Sequence, residues 1–174
     1  VNFYSVVGTA TNLLNTVTNI ICGDAYLVEG QSNAESVNPD PWGVGHENPP
    51  YYSNTWIRSY GWNNAGWGIA SRWNTDQHIG HWVMDLASNL WAVYKMPICI
   101  INGAVGGTRI DQHQPGGTIF RDITNRVISA RLTHGIRAAF WHQGENNSGS
   151  AGPDYGYDYM FYQQHFMDLT FAWK

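Results

Sequence analysis

Charge is what this chain has least of. Asp, Glu, Lys and Arg make up 13% of its 174 residues, about half of the ~25% usual in soluble domains. Lys and Arg number 9 against 13 Asp and Glu, for a net charge of −4. With no basic run, the electrostatic footprint of a nucleic-acid partner is missing. Cysteine is confined to Cys22 and Cys99, too few for a disulfide or metal framework, and two buried free thiols are expected. No apolar stretch approaches ~18 residues, so no membrane-spanning helix is expected. Glycine (19 residues) and aromatics (14%, with 9 Trp and 10 Tyr) fill the space that charge leaves. Such a composition is opposite to that of disordered chains. At 43%, hydrophobic residues suffice for a core, and the length suits one domain. The chain opens on Val1 rather than Met, which reads as a mature or excised segment.

Residues 1–21 are rich in Val, Thr and Asn and read as one or two strands around a polar turn. Residues 1–18 are expected to be the tail of a preceding β-domain, with the main domain over 19–174. Ala25 to Val28 is a short apolar run stopping at Gly30, as in a buried strand closed by a tight turn. Residues 36–54 hold Pro39, Pro41, Pro49 and Pro50 and read as a long loop. A strand is expected over 55–61, and no clear period over 62–73. The strongest helix signal covers 76–95, where Ile79, Trp82, Val83, Leu86, Leu90 and Val93 form one apolar stripe. Thr75 or Asp76 would cap it and Pro97 would end it. A strand over 98–102 follows, then a helix over 119–133 with Gly135 at its C-terminal cap. Another strand spans 136–141, and an aromatic helix 157–173. This alternation predicts an α/β fold with a parallel sheet.

Each apolar strand runs into a polar, glycine-bearing segment, and ligands in such sheets bind beyond the carboxyl ends of the strands. In Gly30-Gln31-Ser32-Asn33, Ser32 follows a strand and a glycine at the mouth of a helix. That suits a nucleophile whose own N–H helps hold negative charge; it equally suits an N-cap. In Gly103-Ala104-Val105-Gly106-Gly107-Thr108, the glycines let backbone N–H groups approach a ligand, or simply make a tight turn. No Lys follows, so the P-loop pattern fails. In Trp141-His142-Gln143-Gly144-Glu145, the Gln143 amide can face a developing oxyanion, or be satisfied by nearby backbone.

Taken together, these three blocks resemble the sialate O-acetylesterase-like branch of the SGNH hydrolases, which includes acetylxylan esterases. The likeness rests on Gly-Gln-Ser-Asn at 30–33, Gly-Gly-Thr-Arg-Ile at 106–110 and Trp-His-Gln-Gly-Glu at 141–145, in that order, and spans residue 19 to the chain end. It implies a three-layer, flavodoxin-like fold and a serine esterase removing acetyl groups from sugars through an acyl-enzyme. By the resemblance, Ser32 is the nucleophile, and the Ser32 N–H, the N–H of Gly106 or Gly107, and the Gln143 amide form the oxyanion hole. Glu145 supports the site or touches substrate, and Gln31, Asn33, Thr108 and His142 are candidate binding residues. No metal or cofactor is implied. The implied partner is an acetylated carbohydrate, met at a secreted, cell-surface or periplasmic location.

One element of the family pattern is absent. The family draws its general base from an Asp-x-x-His block near the C-terminus, and no histidine here has Asp or Glu three residues earlier. A serine without a base is a weak nucleophile. The expectation is that this segment belongs to a longer polypeptide with flanking domains, whose remaining strand and His-bearing loop follow Lys174. His113 stands where the family tends to have Trp and is a candidate surrogate base. The rival reading is a carbohydrate-binding domain of the same fold without turnover; a lipase or peptidase finds no support. His78 and His81 share a helix face, but two ligands are too few for zinc. Trp56, Trp62, Trp67 and Trp73 are core anchors or sugar-stacking rings. Asn146-Asn147-Ser148 is a formal glycosylation sequon, read as incidental.

Overall fold

The computed structural model describes residues 1–36, 54–72, 75–148 and 159–174. A hairpin comes first, β1 (Asn2–Val7) antiparallel to β2 (Ala10–Thr16), as the Val/Thr/Asn pattern predicts. Its apolar side chains, Phe3, Tyr4, Val6, Leu13 and Leu14 among them, are exposed.

The main body is a five-stranded sheet. Its strands are β3 (Asp24–Gly30), β4 (Ile57–Tyr60), β5 (Trp67–Ile69), β6 (Ile98–Asn102) and β7 (Ile136–His142). They lie in the order β5-β4-β6-β3-β7. β3 runs parallel to both β6 and β7, and β4 parallel to β6; only β5 is antiparallel. β3 is central and buried from Ala25 through Gly30, which explains its continuous apolar run.

Strand periodicity sorts the core into two layers. Tyr26, Val28, Ile98 and Ile100 face the helix α2 (His81–Tyr94) and pack on Val83, Met84 and Ala87. Leu27, Cys99 and Ile101 face the other way, onto Ile123 and Val127 of α3 (Thr118–Ser129) and Trp173 after α5 (Tyr159–Ala172). The result is a three-layer, mostly parallel α/β sandwich, as expected. Two short helices, α1 (Ser32–Glu35) and α4 (Glu145–Ser148), sit at the carboxyl ends of β3 and β7.

Several boundaries differ from expectation. α2 starts at His81 rather than residue 76, with Gly80 at its N-cap (φ 93°). Thr75 instead closes a separate turn, its carbonyl accepting from His78 N and its Oγ1 from Gln77 N. The buried face of α2 is also rotated. Val83, Met84 and Ala87 are buried, whereas Trp82 and Val93 of the predicted stripe are 37% and 70% exposed. Apolar residues occur on more than one side of α2, and the small Ala87 selects the side that closes on the sheet. Gly135 does not cap α3; Ala130 does, and Arg131 takes the left-handed turn (φ 59°). Cys22 is exposed, not buried, while Cys99 is half-buried, and burial pushes its thiol pKa up to about 12. The loop over 37–53, Trp73 and the start of the helix expected at 157 lie outside the described residues.

The rotated face of α2 makes a direct prediction. Ile100→Ala, at a fully buried site facing α2, should cost about 2–5 kcal/mol. Val93→Ala should stay within about 0.5 kcal/mol. Urea unfolding followed by tryptophan fluorescence measures both, and a large loss at Val93 would contradict the packing.

Candidate active site

The three motifs meet at the carboxyl edge of the parallel strands, and glycine allows the meeting. Gly30 has φ 135°, and a Cβ there would lie 2.0 Å from the His142 carbonyl oxygen. No other residue lets β3 and β7 approach so closely at this point. Gln31 N then donates to His142 O at 3.0 Å, and the chain turns into α1.

Gln31 is buried (2% exposed). Its side-chain oxygen accepts from Gln143 Nε2 (3.1 Å), Gly144 N (3.2 Å) and Asn146 N (3.1 Å). This stitches the first motif to the third. Gln143 Nε2 also faces Thr108 O at 3.0 Å and Asn147 Oδ1 at 2.6 Å, which brings in the second motif. Asn147 Oδ1 takes Ile110 N as well (3.0 Å), and Asn146 Nδ2 donates to Gly107 O. Both asparagines of the sequon therefore brace the glycine loop from within.

Ser32 is exposed at the first residue of α1. It is not an N-cap; that position is Gln31, which makes no side-chain cap bond. Among the described residues, none hydrogen-bonds Ser32 Oγ or accepts from Ser32 N. Gly106 lies against Ser32, for a Cβ at Gly106 would sit 3.7 Å from Ser32 Cβ and 2.8 Å from Glu35 Oε2. The N–H of Gly106 donates to that same Glu35 oxygen at 2.8 Å. Gly107 (φ 73°) has open space around it, and its N–H meets no acceptor among the described residues. So the two glycines named by the sequence differ among the described residues: the Gly106 donor is engaged and the Gly107 donor meets no acceptor.

On the outer side of Ser32, Asn33 Nδ2 donates to Glu145 Oε1 at 2.5 Å, and His142 Nε2 lies 3.3 Å from the same oxygen. A bond from its own backbone N–H, then the Asn33 amide and His142, hold the Glu145 carboxyl below the usual range. Trp82 Nε1 donates to Asn33 O at 2.7 Å.

Sequence reasoning missed several supports. Asn102, buried at the end of β6, donates to Ala34 O (2.9 Å) and Ile79 O (2.8 Å) and accepts from Ala104 N (3.0 Å). It ties β6, α1 and the approach to α2 together. Glu35 and Asn147 act likewise, and nothing local in the sequence marks them.

His113 is not at the rim, so the surrogate-base expectation falls. It is 1% exposed, with Nε2 2.8 Å from Thr108 Oγ1 and Nδ1 3.4 Å from Glu29 Oε2. The Thr108 hydroxyl already donates to Val105 O at 2.6 Å. It must therefore accept from His113, which puts a proton on Nε2 and leaves Nδ1 facing the Glu29 carboxyl. Burial pushes the Glu29 carboxyl pKa upward, against the pull of His113, because the charged form is costly in a dry site. Two of the tryptophans read as core anchors or sugar-stacking rings can be placed. Trp62 stacks on His78 and lies under Arg126. Trp67 lines a cavity of about 520 Å³ with Gly23, Pro97 and Ile98, residues at the opposite, amino ends of the strands.

A mostly parallel three-layer α/β sheet of this kind is consistent with an SGNH-like hydrolase fold. Solved structures share the fold. A protein from Arabidopsis thaliana superposes with a TM-score of 0.62 at 19% identity, over 87% of this chain and 68% of its own. A carbohydrate acetylesterase from Xanthomonas citri gives 0.56 at 20% identity, over 87% of this chain and 38% of its own. No curated protein sequence matches significantly. The family model for carbohydrate esterases, sialic acid-specific acetylesterases, matches residues 23–169, and the chain belongs to that family.

The buried Glu29 sets a pH prediction. With its pKa raised on folding, the native state holds a proton that the unfolded state gives up, so this contribution to stability falls as pH rises above the ordinary carboxylate range. Glu29→Gln, which keeps the shape and loses the charge, should flatten that fall. Unfolding midpoints of both proteins at pH 5 and pH 8 test it; equal slopes would refute the assignment.

Proposed function

We propose that the chain is the core of a serine-dependent carbohydrate O-acetylesterase, acting on acetylated sugars or polysaccharides outside the cytoplasm. The observation that carries this is the exposed Ser32 hydroxyl, which lies against Gly106 at the meeting of three strand ends and, like the Ser32 and Gly107 N–H groups, has no hydrogen-bond partner among the described residues. In this reading Ser32 Oγ attacks the acetyl carbonyl carbon and yields its proton to a base. The carbonyl oxygen becomes an oxyanion between the two N–H groups. The sugar oxygen then leaves as its hydroxyl, and water hydrolyses the acetyl-serine. Gln143 Nε2 has two hydrogens and faces three acceptors, so it joins as a third donor only by turning one hydrogen away from all of them. As it stands, its amide holds Gln31, Thr108 and Asn147 in register.

The base is the open term. His113 is engaged by Thr108 and Glu29, and His142 by Glu145. A carboxylate partner would not by itself bar His142 from acting as a base, but no imidazole among the described residues hydrogen-bonds Ser32 Oγ. The same observation favours the second reading, a carbohydrate-binding domain without turnover.

Acetate release from acetylated xylan and from phenyl acetate, measured on the full chain, separates the two. Under the esterase reading both substrates turn over, and Ser32→Ala lowers kcat by at least ~10³-fold, the scale on which enzymes lose a nucleophile. Retention of parental activity by Ser32→Ala would remove Ser32 from the chemistry. No acetate from any form, with retained sugar binding, would establish the binding domain.

A further inference from the structure

We propose that Trp82 is the platform on which the sugar ring of the ester rests, with Glu145 and His142 receiving its hydroxyl groups. This rests on the esterase reading and extends it to the recognition of the leaving group. In a sugar acetate the attacked carbonyl carbon is joined through one oxygen to a ring carbon. The ring must therefore lie at the rim of Ser32, and whatever recognises it must reach that rim.

Trp82 does so. It is 37% exposed on the first turn of α2. Its indole N–H is tied to the carbonyl of Asn33, the residue after the nucleophile, at 2.7 Å. The tie follows from how α2 begins. His81 N donates to Ser36 O at 2.9 Å, and a Cβ at Gly80 would stand 2.5 Å from Glu35 O, so the start of α2 abuts the end of α1. With its polar edge satisfied, Trp82 keeps an oriented apolar ring at the site. The C–H face of a pyranose is a suitable partner for the electron-rich face of an indole. Fixing the ring beforehand also lowers the entropy cost of binding.

Asn33 reaches the other way to Glu145. The Glu145 and His142 side chains are 44% and 54% exposed, and an ionised carboxylate makes strong hydrogen bonds to hydroxyls. An apolar ring on one side of Asn33 and a carboxylate–imidazole pair on the other match a molecule with C–H faces and O–H edges. Of the tryptophans read as core anchors or sugar-stacking rings, Trp67 in edge strand β5 is turned into the cavity with Gly23 and Pro97, and Trp62 lies under Arg126. Trp82 is exposed because Ala87 and Val83, not Trp82, seat α2 on the sheet.

The test uses the full chain and two readouts. The first is the ratio of kcat/KM for a sugar ester to that for ethyl acetate, which has no ring, taken over a panel of acetylated xylotetraose, glucose pentaacetate and an O-acetylated sialic acid. Trp82→Leu should lower the ratio for the preferred sugar at least tenfold; Trp82→Phe, which keeps a ring and loses only the Asn33 bond, should retain most of it. The second is calorimetric binding of the deacetylated form of that sugar, which Trp82→Leu should weaken similarly. A ratio and an affinity unchanged in Trp82→Leu overturn the platform while leaving the esterase reading intact. Loss of acetate release in the parent overturns the esterase reading alone if binding still depends on Trp82. A parent that neither binds nor prefers any sugar of the panel overturns the platform.

Discussion

The side-chain oxygen of Gln31 is the point on which this site depends. It is buried, and three N–H groups from the segment after β7 converge on it. An amide oxygen in a dry interior has a high cost if left unpaired and a correspondingly strict geometry when paired. That strictness fixes where β3 ends relative to β7, hence where Ser32 emerges. Gln143 passes the constraint on to Thr108 O, and Asn147 to Ile110 N. The motif residues that look like substrate ligands in the sequence are therefore also the structural ties among themselves.

Two further buried groups hold the frame from below. Asn102 joins the end of β6 to both α1 and the start of α2. Arg126 of α3, 5% exposed, donates to Asn102 O (2.6 Å) and Tyr60 O (2.7 Å). Desolvation lowers its pKa to about 10, still well above neutrality, so the charge persists. It serves carbonyls at the ends of β6 and β4 that have run out of strand partners. Polar groups concentrated at strand ends are costly to bury, and their reward is a single arrangement of the loops.

The fold was readable because its signals are local. The continuous run at β3 and the alternation of strand and helix need no knowledge of the tertiary structure. Ser32, Gly106, Gly107 and Gln143 were readable for the same reason, as short blocks after strands. What was hidden depends on which faces meet. The stripe of α2 is ambiguous in sequence because Met84 and Trp91 are apolar as well, and only packing shows that Trp82 is turned outward. His113 looks like a rim residue by its spacing from Ile110, yet its turn folds inward onto Glu29. Asn102 and Glu35 carry no motif, since the partners that tie them to other elements lie 23 to 71 residues away.

Glu35 illustrates how tightly such a site is constrained. A carboxylate three residues past Ser32 would, under the esterase reading, stand close to where an oxyanion forms, and like charges at short range in a partly dry cleft repel strongly. The conflict is avoided by giving the carboxylate its own donor. Gly106 N–H takes Glu35 Oε2, which draws that charge toward the backbone and pins the glycine loop to α1. The adjacent N–H, that of Gly107, meets no acceptor among the described residues. A pair of glycines is needed because the first must fit between Ser32 and Glu35, where a Cβ would collide, and the second must turn with φ 73°. One N–H holds the loop to α1, and its neighbour meets no acceptor among the described residues.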